Sequence, residues 1–114
     1  MSRTVIHDVI IITATDGFHI FTYAPEFGPV TWAGAVEAAV KAGKSLRHAD
    51  LIDCDLRGAD LRESNLRFAN LRWAAIDGAN FDAADMRDAW ITSPKKKFPG
   101  ADLRGAILNG RRTT

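Results

Sequence analysis

Between Leu46 and Ile91 an apolar residue recurs at every fifth position, through Leu51, Leu56, Leu61, Leu66, Leu71, Ile76, Phe81 and Met86. Two residues ahead of each stands a mostly small one, as in Ala49, Cys54, Ala59, Ser64 and Ala69, with Lys44 as the exception. Asp or Asn fills most positions between the two, among them Asp50, Asp55, Asp60, Asn65 and Asn70. Neither standard element accommodates this period. On an α-helix, at about 100° per residue, every fifth side chain drifts by roughly 140° and no apolar stripe survives. On a strand, an odd period sends successive leucines to opposite faces. The pattern is consistent only if each five-residue unit ends in a bend, so that every unit turns the same side inward. Asp and Asn favour such bends because their side chains bond nearby backbone. The chain therefore winds, and stacked windings share hydrogen bonds and a continuous core.

These residues resemble the pentapeptide-repeat family, whose unit is Ala-(Asp/Asn)-Leu-X-X. The match is carried by Ala49-Asp50-Leu51, Ala59-Asp60-Leu61, Ala69-Asn70-Leu71, Ala79-Asn80-Phe81 and Ala101-Asp102-Leu103, and the resemblance covers residues 44–110. It implies a mainly all-β fold, a right-handed quadrilateral parallel β-helix with four pentapeptides per coil. Residues twenty apart then stack, and the columns Leu46/Leu66/Met86, Leu51/Leu71/Ile91, Leu56/Ile76 and Leu61/Phe81 are all apolar. After Ile91 the register breaks. Two prolines, a glycine and Lys95-Lys96-Lys97 read as an inserted loop at 93–100. Leu103 and Leu108 then resume the motif and are read as the two missing faces, completing about three coils, with 111–114 left as a tail.

An open stack needs covers at both ends. Residues 1–43 are expected to form the N-terminal cap, a β-hairpin plus one short α-helix. Thr4 to Thr13 is rich in β-branched residues, Asp16-Gly17 is a hairpin turn signal, and Phe18 to Tyr23 returns. Thr31 caps a helix from about Trp32 to Ala42, and Gly43 stops it. The polar C-terminus offers no such cover. Two outcomes follow: a homodimer through the C-terminal end of the β-helix, or the inserted loop folding over that end with Phe98.

Chemistry is sparse. The chain carries 15 basic and 14 acidic residues, which rules out a bulk-electrostatic argument for partners. The longest apolar run, Val9 to Ile12, is far too short for a membrane span, and no leader is recognisable, so a cytoplasmic protein without a membrane role is expected. His7 and His19 lie on the hairpin, and two strand residues are a better reading than a metal pair. Cys54 and Ser64 sit in inward slots otherwise filled mainly by alanine, so both read as packing. No triad order, phosphate loop or metal spacing is present. The expectation is a non-enzymatic chain with no cofactor.

The outward positions carry more. Arg47, Arg67 and Arg87 fall twenty apart and form a ladder, which the turn carboxylates and Asp88 are placed to neutralise. Phe68, Arg72, Trp73 and Trp90 lie beside it. Aromatic and arginine side chains dominate binding hot spots, so these seven residues form the candidate partner surface, unless the 93–100 loop or a dimer mate covers them. The leading expectation is a scaffold that binds a protein partner. The hairpin, helix and Ala39–Leu46 stretch resemble phage-encoded members of the family, which implies a modulator of a host protein or defence system. A second reading is DNA mimicry, as in longer members that occupy the DNA-binding saddle of gyrase. The short stack, leucine centres and mixed charge argue against it. Direct nucleic-acid binding, through the ladder, Lys95-Lys96-Lys97 and Trp73, ranks last.

Overall fold

The computed structural model describes residues 9–92, Phe98, 102–108 and 111–112. Its elements are β1 (Ile10–Thr13), β2 (His19–Tyr23), α1 (Trp32–Lys41), β3 (Asn70–Leu71), β4 (Trp90–Ile91), β5 (Ile107–Leu108) and β6 (Arg111–Arg112). From Leu46 onward the chain winds as a β-helix-type stack. Parallel bridges Asp50↔Asn70, Asp55↔Ala75, Asp60↔Asn80 and Asn65↔Asp85 join positions twenty apart, one on each of four sides. Each side is stitched by backbone bonds such as Leu51 N–H to Asn70 O and Asn70 N–H to Ala49 O, both 2.9 Å.

The bend after each centre has one form. The residue three places on donates its N–H back to the carbonyl of the centre, as in Ala49 to Leu46 at 3.0 Å and Ala84 to Phe81 at 2.9 Å. The residue two places on has positive φ every time, from His48 at 62° and Trp73 at 59° to Gly105 at 74°. This is the signature of a type II turn, which ordinarily asks for glycine at that place. Among the described bends glycine fills it at Gly58, Gly78 and Gly105, and seven side-chain-bearing residues hold a left-handed conformation. Where Asp or Asn precedes the centre it braces the bend, its Oδ1 accepting the N–H two residues on (Asp55 from Arg57 at 3.2 Å, Asn80 from Asp82 at 2.9 Å), and Ser45 Oγ does the same for Arg47 at 3.1 Å. With direction thus fixed, Leu46, Leu51, Leu56, Leu61, Leu66 and Met86 are fully buried in the column interior.

Above the first layer sits the hairpin–helix cap. The β1–β2 register is Ile10↔Tyr23 to Ile12↔Phe21, with a bulge before Thr13. Beyond the bulge the chain pairs antiparallel with the first layer through Ala14↔Ala49, closing its edge with Asp50 N–H to Thr13 O at 2.8 Å. Thr31 caps α1 by accepting from Gly34 N–H at 3.0 Å. Gly43 (φ 75°) ends it in a Schellman motif, with Gly43 N–H to Val40 O and Lys44 N–H to Ala39 O. Ile12, Ala35, Val36 and Ala39 are wholly buried and belong to the same core as the leucine columns. The expected helix and hairpin are therefore present, with Phe18 in the turn and Thr4–Asp8 outside the described residues. Among the described residues no helix is long and apolar enough to cross a membrane.

The C-terminal end departs from the sequence reading. Asp102 pairs in parallel with Asp85, and Ile107–Leu108 with Trp90–Ile91. Leu103 and Leu108 thus stack over Met86 and Ile91, as the start of a further layer, and do not supply two missing faces. The winding from Asp85 to Asp102 closes in seventeen residues instead of twenty. A strict twenty-residue register could not reveal that shortening. Between Ile91 and Asp102, residues 93–97 and 99–101 lie outside the described residues. Phe98 is buried, edge-on to Phe81 with ring centroids 5.3 Å apart, at the foot of the Leu61/Phe81 column. Arg111 and Arg112, expected as tail, pair antiparallel with Leu108 and Ile107, so the chain itself occupies the sheet edge at that corner.

The turn geometry makes a direct stability test. A Cβ at Gly58 meets nothing within 4 Å, and one at Gly78 only ordinary contacts, 3.7 Å from Gly58 N. Gly58→Ala and Gly78→Ala should each cost about 1 kcal/mol through backbone conformation alone, and Ala83→Gly should gain somewhat less. Shifts in denaturant midpoint at constant slope check both signs.

Candidate docking surface

In each Asx–apolar–Arg tripeptide the centre points inward, so the residues on either side project outward next to each other. Where the first is Asp, the pair closes into a fork. Arg57 meets Asp55 through Nε and Nη2 at 2.8 and 2.7 Å, and Arg62 meets Asp60 at 2.8 Å twice. Arg87 holds Asp85 at 2.8 Å twice, and Arg104 holds Asp102 through Nε at 3.0 Å and Nη2 at 2.7 Å. The side-chain bonds, helped by the backbone N–H of the same arginine, bring the Asp55, Asp60 and Asp102 carboxyls down to about 2. Asp85 is lowered by the same fork from Arg87.

Three arginines have no aspartate at that place: Arg47 follows Ser45, Arg67 follows Asn65, and Arg72 follows Asn70. They lie together at the corner between the first and second sides, and they stack on aromatic rings. The Arg47 and Arg67 guanidinium carbons sit 5.0 and 5.3 Å from the Phe68 ring centre. His48 stacks on the same ring at 4.9 Å with planes 6° apart. Arg72 lies 4.1 Å from the Trp90 ring and 5.3 Å from Trp73, its Nε donating to Asn70 Oδ1 at 3.1 Å. Arg67 also reaches Asp88 at 3.6 Å, and its buried Nε has no acceptor among the described residues.

Six of the seven candidate residues thus form two adjoining clusters, Arg47–Phe68–Arg67 and Trp73–Arg72–Trp90. Phe68 and Trp90 share the walls of one shallow cleft of about 370 Å³ with His48 and Ile107. All three rings are exposed, Trp73 the most at 59%. Arg87 belongs to the ladder but is committed to Asp85, with Asp102 at 3.9 Å. The ladder also has a rung that a twenty-residue spacing misses: Arg104 lies below Arg87, tied in by Asp88 N–H to Arg104 O. The signal for it was Asp102-Leu103-Arg104 itself.

Elsewhere the residues with reactive side chains are occupied. Burial, with Asp50 and Asp53 adding to it, pushes the Cys54 thiol up to about 12. Ser64 Oγ donates to Leu61 O at 2.7 Å. His19 bonds Thr22 at 2.7 Å, and no group of three metal-ligating side chains occurs among the described residues. His7 and Lys95-Lys96-Lys97 lie outside them.

The stack of five-residue turns defines a repeat-built, β-helix-type fold. The family model for pentapeptide repeats matches residues 45–82 in eight copies, so this stretch of the chain is built of pentapeptide repeats. No curated protein and no solved structure matches it.

Two outcomes follow from the forks and the buried thiol. The forked carboxyls titrate lower in the folded chain than in the unfolded one. Their stabilisation is therefore complete above about pH 4 and is lost as pH falls toward about 2. Replacing Asp55, Asp60 and Asp102 together with Asn, which keeps the turn acceptor, should flatten the fall of melting temperature over that window. Cys54 should resist a thiol reagent at pH 8 and react at once in denaturant, as followed by absorbance.

Proposed function

We propose that the protein is a non-enzymatic scaffold, a right-handed prism of about three coils, that binds a protein partner through the corner formed by Arg47, Phe68, Arg67, Arg72, Trp73 and Trp90. The observation that carries this reading is the exposure of three large rings on a frame whose own core does not need them. Aromatic and arginine side chains concentrate binding energy at interfaces, and a frame stitched on four sides loses little conformational freedom on docking. The hairpin–helix–repeat layout supports a phage-type modulator of a host protein or defence system as the setting. DNA mimicry finds less support, because four turn carboxylates are already neutralised by their own arginines. A homodimer through the C-terminal end would have to use sides other than the one that β6 occupies.

Affinity capture from the native host tests the reading. Phe68→Ala with Trp73→Ala should reduce recovery of the wild-type partner at least tenfold while leaving the melting temperature within a few degrees. Equal recovery by the double variant would remove this corner as the contact.

A further inference from the structure

Resting on that docking surface, we infer that Arg72 is its anchor and takes a single carboxylate from an acidic residue of the protein partner, flanked by apolar side chains that lie against Trp73 and Trp90. The guanidinium is held before any ligand arrives. Trp90 lies 4.1 Å from it, Trp73 lies 5.3 Å from it, and Asn70 Oδ1 accepts a hydrogen bond from its Nε–H. That leaves the Nη donors, which meet no acceptor among the described residues, and a planar fork matches a carboxylate. Forks on the other sides show the alternative: Arg57 and Arg62 are each closed by an aspartate two residues earlier. Asn70 stands at that place before Arg72, and it orients the arginine without neutralising it. Asn70 is buried and its Oδ1 also accepts the Arg72 backbone N–H at 3.2 Å, so the brace is fixed.

The surroundings favour a lone carboxylate over a phosphate chain. Asp50 bridges to Asn70 in the layer above, and Asp53 N–H bonds Arg72 O. Asp88 lies within 3.6 Å of Arg67. A polyphosphate backbone crossing this corner would meet these acids, whereas one glutamate among apolar residues would meet a guanidinium between two indoles.

The test uses the full-length protein labelled with nitrogen-15, titrated with a capped hexapeptide carrying one glutamate among apolar residues. Its glutamine counterpart and a short oligothymidine are titrated in parallel. The glutamate peptide should shift the Arg72 Nε–H and the Trp73 and Trp90 indole signals with a Kd of about 1 mM, the scale of a few exposed contacts. The Trp32 indole should stay still. Glutamine in place of glutamate, or Arg72→Lys in the protein, should weaken binding at least tenfold, and Arg57→Lys should not. Equal binding of the two peptides, an unaffected Arg72→Lys variant, or tighter binding of the oligothymidine would each overturn the anchor. Partner capture that is lost in the Phe68–Trp73 double variant but retained in Arg72→Lys would sink the anchor and leave the docking surface standing.

Discussion

The backbone reversal two residues after every apolar centre is the constraint on which the rest depends. It converts a linear five-residue period into a closed circuit of four sides, and it places each centre inward and each flanking pair outward. The conformation is costly for residues with a Cβ, at about 1 kcal/mol or more apiece, and seven of them adopt it. What offsets the cost is shared. Each bend is locked by its own turn hydrogen bond and by backbone bonds to the neighbouring layer, most are braced by an Asx oxygen, and the centres from Leu46 to Ile91 are buried. No single unit is stable alone, which is why the sequence keeps its period so strictly through the stacked region.

Much of this was legible before any coordinates. Leu51, Leu71 and Ile91 stack as the period requires, and Thr31 and Gly43 mark the ends of the helix as their chemistry dictates. Other features were hidden for identifiable reasons. Extrapolating twenty residues per winding puts Leu103 and Leu108 on the wrong sides, because the winding from Asp85 to Asp102 closes in seventeen. The same assumption concealed Arg104 as a rung of the ladder. The forks were missed because attention to stacking looks for partners one layer away, whereas Asp55 and Arg57 meet across a single inward leucine.

That local pairing gives the Asx position a second role. As a turn residue, Asp and Asn are equivalent, since one oxygen is enough to accept the backbone N–H. For the arginine two places on they are opposites. Asp closes it into a neutral pair, and Asn leaves it to stack on a ring, as Arg67 and Arg72 do. Asn65, Asn70 and Ser45 fall where the aromatic rings are, so the surface is patterned by a choice that the fold itself does not register.

The two ends of the stack are specialised, and this determines how such a chain can change size. Above, the hairpin edge and helix α1 are fitted to the first layer; below, Phe98 and the antiparallel strand β6 are fitted to the last. Neither end accepts an added unit without displacing its fitting. Lengthening by gene duplication therefore has to proceed from the middle, in whole circuits, each of which would move the caps apart by one strand spacing and extend the outer columns without redesigning them.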